Sequence, residues 1–137
     1  MNIVDLITAP EGNCGIIPGR NILKSEGFGD WLPEHVEALI KNLLKLSQKF
    51  GGKPFAYIAD PSKMNPIIRK DTSAAFVQLH VELEKAGCRA IAFLDGNTAA
   101  MKLQSQKHQN LSESQEMQVL HFKTEEQALE WLEKMGL

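Results

Sequence analysis

From residue 30 onward the chain alternates short apolar runs with longer segments whose apolar residues recur every three or four positions. That alternation constrains the fold more than any other feature, because strands separated by helical crossovers lie parallel in one sheet with helices packed on it. The first long segment carries Leu32, Val36, Leu39, Ile40, Leu43, Leu46 and Phe50 at helical spacing, which predicts a helix from Asp30 as its cap to about Phe50. Pro33 suits its first turn, and Gly51-Gly52 supplies the left-handed residue that ends it. Phe55 to Ala59 then reads as a buried strand between Pro54 and Pro61.

A second helix is expected from near Asp71 to Gly87, burying Ala75, Phe76, Leu79, Leu83 and Ala86, and Cys88 to Leu94 reads as the next strand. A third helix is expected from Thr98 to about His108, followed by a last strand, Met117 to Phe122. Thr124 with Gln127 three residues later forms a capping pattern for a final helix, with Glu125 and Glu126 in its electropositive first turn. Ala128, Leu129, Trp131, Leu132 and Met135 are expected to pack that helix down.

The first thirty residues lack the alternation. Ile3 to Thr8 and Cys14 to Ile17 read as a hairpin around Ala9-Pro10-Glu11-Gly12-Asn13, and Gly19 to Gly29 reads as a glycine-containing link. The expectation is an α/β fold with a mixed sheet of about five strands, a single unit spanning residues 1–137.

Three stretches resemble the STAS domains of anti-sigma-factor antagonists, in particular their SpoIIAA-like branch. They are Phe55 to Asp60 with Pro61, Ala86-Gly87-Cys88-Arg89-Ala90-Ile91-Ala92-Phe93, and the closing stretch from Phe122 to Leu132. The resemblance implies a regulatory module whose partner is a serine-kinase anti-sigma factor or another signalling protein. It also implies that Asp71-Thr72-Ser73 stands at the family's regulatory motif, with Thr72 the phosphoacceptor, Ser73 its polar neighbour and Asp71 the acidic partner. Ala74 stands where that motif has glycine, and Arg69-Lys70 where its approach is apolar. The same three residues have a structural reading as helix-capping oxygens.

Asp60 and Asp95 each close a strand, and the carboxyl edge of a parallel sheet is where open α/β folds bind ligands, so Asp60, Asp71 and Asp95 define a candidate binding edge. Their alternative is ordinary turn chemistry. Phe28 and Trp31, placed where the first helix begins, are read as the cover of an apolar pocket or a homodimer seam, against the structural reading of a staple between hairpin and core.

The four histidines and two cysteines show no metal-ligand spacing, and no nucleophile elbow or phosphate loop is present, so neither metal, cofactor nor enzymatic chemistry is expected. His80 reads as a packed histidine, and Cys14 and Cys88 as fillers of apolar space. Fifteen basic against seventeen acidic residues argue against a dedicated nucleic-acid binder. No apolar run, Ala90 to Leu94 included, is long enough to span a membrane. With two lone thiols and no visible secretory signal, a cytoplasmic location is expected. The functional expectation is a non-enzymatic regulatory or ligand-sensing module acting by protein or small-ligand binding. The alternative is a carrier of a small apolar or lipid-like ligand in a cavity under Trp31 and Phe28, and a small enzyme ranks third.

Overall fold

The computed structural model describes residues 3–94 and 117–137. The expected third helix and Asp95 lie outside the described residues. Strands β1 (Val4–Ala9), β2 (Gly12–Ile16) and β3 (Ile22–Gly29) precede helix α1 (Pro33–Ser47), which runs into a short 3-10 turn, Gln48–Phe50. Then come β4 (Phe55–Met64), α2 (Lys70–Ala86), β5 (Cys88–Leu94), β6 (Gln118–Phe122) and α3 (Glu125–Lys134).

The six strands form one sheet in sequential order. β1, β2 and β3 pair antiparallel, and β3 through β6 pair parallel. The mixed α/β sheet is therefore present, with one more strand than expected. The segment read as a glycine-containing link is β3, and it is buried on both faces between β2 and β4.

Alternation along the central strands divides the core into two layers. Leu23, Tyr57, Ile91 and Phe93 face α1 and α2, where Val36, Leu43, Leu79 and Leu83 cover them. Ile22, Ile58, Ala90 and Ala92 face the other way, onto Ala128 and Leu132 of α3. Lys24 shares that second face at only 2% exposure, with its Nζ 2.7 Å from Glu125 Oε1 in the first turn of α3. Both cysteines are buried and free. Among the described residues no helix is long and apolar enough to cross a membrane.

Three local expectations are corrected. Asp30 does not cap α1. Its carboxylate accepts from Asn65 Nδ2 at 2.8 Å, while the helix opens at Leu32, whose N–H donates to His35 Nδ1 at 3.0 Å. Asp60-Pro61-Ser62 is not a turn that ends the strand, because β4 continues to Met64. Pro61 and Ser62 oppose Gly27 alone, since Glu26 pairs with Asp60 and Phe28 with Lys63. The proline thus sits in a bulge, where its missing N–H interrupts no ladder bond, and Asp60 Oδ1 accepts from the Ser62 N–H at 3.0 Å and hydroxyl at 2.6 Å. Ala86 lies on the exposed side of α2, and His80 takes the buried place on that face.

The closing helix follows its sequence signals. Thr124 Oγ1 accepts from the Gln127 N–H at 3.2 Å, and the Gln127 side chain reaches back to the Lys123 N–H at 3.3 Å, one residue earlier than a standard capping box.

Candidate functional site

Towards the carboxyl ends of β3, β4 and β5, the sheet and the two helices on its first face leave a cavity of about 50 Å³. Its floor is Ser25 and Gly27 of β3, Tyr57 and Ala59 of β4 and Phe93 of β5, and its helical wall comes from Leu39, Phe76, Leu79 and His80. Trp31 and half-buried Asp60, Met64 and Ile67 complete the lining. The lining is overwhelmingly apolar with a few convergent polar groups, the composition expected of a small-molecule site.

Trp31 is held from three sides. Its Nε1 donates to the Glu11 carbonyl in the β1–β2 turn at 3.1 Å, its ring meets Phe76 at 6.0 Å, and its carbonyl accepts from Thr72 Oγ1 at 3.3 Å. It is therefore both the hairpin staple and a wall of the cavity, and at 9% exposure it presents no surface seam. Gly27 makes the approach of its neighbours feasible: a Cβ there would collide with Met64 and stand 3.2 Å from Trp31 Nε1. Phe28 does not belong to the cavity. Strand alternation turns it away from Gly27, and Lys63 Nζ lies 5.7 Å from its ring centre.

Two hydroxyls lie in the floor. Ser25 and Tyr57, 6% and 3% exposed, hydrogen-bond to each other. Burial pushes the Tyr57 phenol well above its ordinary range, against a smaller downward pull from the Ser25 bond, so it stays a neutral donor at physiological pH. Beside them His80 stacks on Phe93 at 6.1 Å, and Phe93 stacks on His121 of β6 at 5.2 Å.

The structure separates the residues that the sequence grouped. Asp60 lines the cavity. Asp71 is exposed and gripped by its neighbour, with Arg69 Nε at 3.0 Å and Nη2 at 2.6 Å from its two oxygens. That Arg69 bond lowers the Asp71 carboxyl from its usual range, and the Thr72 N–H adds to the effect. The cap position of α2 belongs to Arg69 rather than Asp71. Thr72 is fully buried, its hydroxyl committed to the Trp31 carbonyl, so in this conformation it offers no surface oxygen to a kinase. Ser73, half-buried, donates its backbone N–H to the Arg69 carbonyl.

Sequence reasoning missed Ser25 and Tyr57 as site residues. The available signal was a lone phenol, the chain's one tyrosine, in the middle of the apolar run Phe55 to Ala59. Burial raises the Cys14 thiol to about 11 and the Cys88 thiol to about 12, so neither is a nucleophile at neutral pH. Among the described residues no group of three or more histidine, cysteine or acidic side chains is placed to hold a metal ion.

Neither a protein-family model nor a curated protein matches the sequence. A solved structure does match the fold. It is the crystal structure of an uncharacterised protein of the DUF3478 family with a SpoIIAA-like fold, from Shewanella loihica PV-4. The match covers 93% of this chain and 90% of that one, at 13% identity and a TM-score of 0.60. At that identity the likeness establishes the fold.

Proposed function

We propose that this SpoIIAA-like fold is a cytoplasmic, non-enzymatic regulatory or sensing module that works by binding a small, mostly apolar ligand under Trp31. The observation that carries this reading is the cavity itself, a concave apolar space at the carboxyl edge of parallel strands with two hydroxyls set in its floor. The two buried, unpaired thiols favour a reducing compartment. A lipid carrier is the weaker reading. A cavity of roughly 150 Å³ takes a molecule the size of benzene, and the space here is about 50 Å³. A protein partner whose docking is switched by phosphorylation of Thr72 is weaker still, since that hydroxyl is buried. Ligand binding has a route to the surface through Trp31, which touches both the β1–β2 turn and the start of α2.

Native mass spectrometry of freshly purified protein, with emission from Trp31 in a Trp131→Phe background, tests the proposal. Retained small-molecule mass, or a saturable shift in Trp31 emission with small apolar compounds, is expected. Ala59→Leu, which fills the cavity, should abolish the shift. A Trp31 signal indifferent to every such compound, in protein carrying no extra mass, overturns the reading.

A further inference from the structure

The floor of the cavity specifies the ligand's chemistry through a count of hydrogens. Ser25 and Tyr57 bring two O–H groups, and among the described residues each hydroxyl's side-chain partner is the other. One hydrogen is consumed in that bond whichever oxygen donates it. The other is left over, on a side chain more than nine-tenths buried and at the wall of an apolar cavity. A buried donor without an acceptor is unfavourable, so the cavity is complementary to a molecule that brings an oxygen acceptor to that point.

Charge narrows the class further. The cavity lining contains no lysine or arginine, and its one carboxylate is Asp60. An anionic ligand would find no lysine or arginine there, only the imidazole of His80, and would meet the Asp60 carboxylate. A cationic ligand would have to shed its water in an apolar lining whose one carboxylate, Asp60, is bonded through Oδ1 to Ser62. It would also leave the surplus hydroxyl hydrogen without an acceptor. A cavity of about 50 Å³ takes a head group of a few heavy atoms rather than a large ring system.

We infer that the cavity selects an uncharged small molecule whose carbonyl-type oxygen accepts the surplus hydrogen of the Ser25–Tyr57 pair while its apolar body packs against Trp31, Phe76 and Phe93. This rests on the cavity being the ligand site and adds the polarity and charge of what enters it.

The test uses four probes of similar size and only a few heavy atoms: acetone, its hydrocarbon isostere isobutene, acetate and isopropylammonium. Binding is read by NMR titration of the Trp31 indole N–H in the full chain. The ketone should bind about fivefold more tightly than the hydrocarbon, the preference one neutral hydrogen bond confers, and more tightly than either ion. Ser25→Ala and Tyr57→Phe should each keep the preference, because either single variant retains one hydroxyl with a hydrogen to give. Ser25→Ala/Tyr57→Phe should lower it to within about twofold. It should still fold, since replacing both partners of a buried bond by apolar groups is nearly neutral.

Equal binding of ketone and hydrocarbon to the wild type overturns this inference while leaving the cavity as a ligand site; it means that a water molecule suffices for the surplus donor. Tighter binding of either ion overturns the charge argument. Persistence of the ketone preference in the double variant overturns the assignment to the hydroxyl pair. Silence of the Trp31 signal towards all four probes overturns both this inference and the proposed function.

Discussion

The ion pair between Lys24 and Glu125 should respond asymmetrically to losing either partner. Lys24 is 2% exposed in the middle of the sheet, whereas Glu125 is 32% exposed at the start of α3, and their charged atoms are 2.7 Å apart. Glu125→Ala strands an ammonium where water reaches it poorly. Breaking a fully buried pair this way costs about 3–5 kcal/mol, and an exposed pair about 0–1 kcal/mol. With one partner in solvent contact the expected loss is about 2–3 kcal/mol, including the favourable charge lost from the first turn of α3. Lys24→Met instead removes the charge and keeps the volume of the stem, and the freed glutamate returns to water. Its cost should stay within about 1 kcal/mol of zero. The double variant should resemble Lys24→Met alone, because the alanine then abandons no charge. Urea unfolding followed by circular dichroism measures all three, and thermal melts should show a fall in Tm of roughly 4 °C per kcal/mol for a chain of this size. Lys24→Met costing more than Glu125→Ala, or Glu125→Ala costing under about 0.5 kcal/mol, would refute the argument. The cavity lies on the opposite face of the sheet, so Lys24→Met should leave Trp31 emission unaltered.

Thr72→Val should cost about 1 kcal/mol through the lost bond to the Trp31 carbonyl. Thr72→Glu should unfold the protein or displace the start of α2 rather than mimic a surface phosphate, and a folded Thr72→Glu variant with wild-type stability would contradict the burial of that side chain. Leu43→Ala and Phe93→Ala should each lose about 2–5 kcal/mol in chemical denaturation, because both side chains are buried against the same layer; near-wild-type midpoints for both would contradict that packing. The thiols predict a pH dependence. Above the ordinary thiol value of 9.0 the unfolded chain releases protons that buried Cys14 holds to about 11 and Cys88 to about 12. Stability should therefore fall as pH rises from about 9 through that window. Denaturation midpoints at neutral and alkaline pH, with Cys14→Ala/Cys88→Ala as control, check it, and labelling of either thiol in the native protein faster than unfolding would count against it.

Much of the chain's organisation is local and was therefore readable from residues alone. The period of three and four in Val36, Leu39, Leu43 and Leu46 needs only the geometry of one helix, and the unbroken apolar run of β5 needs only a strand buried on both faces. Thr124 caps α3 because its partner is three residues away. Glycines at helix ends take left-handed φ values, 61° at Gly51 and 114° at Gly87, for reasons internal to each turn.

β3 was not readable in this way. Lys24, Ser25, Glu26 and its glycines break any apolar pattern, yet the strand is central in the sheet. Its polar groups are stabilised from far along the chain, Ser25 by Tyr57 at a separation of 32 residues and Lys24 by Glu125 at 101. Thr72 and Asp71 looked interchangeable as capping or regulatory oxygens. Docking against Trp31 buried the one, and Arg69 held the other at the surface. The sequence by itself determined the succession of helices and strands and the apolar faces they bury, because periodicity, caps and breakers act within a turn or two. Which polar side chains became the floor of a cavity was decided only by the tertiary structure, because a hydroxyl or an ammonium is tolerated inside only where folding brings it a partner.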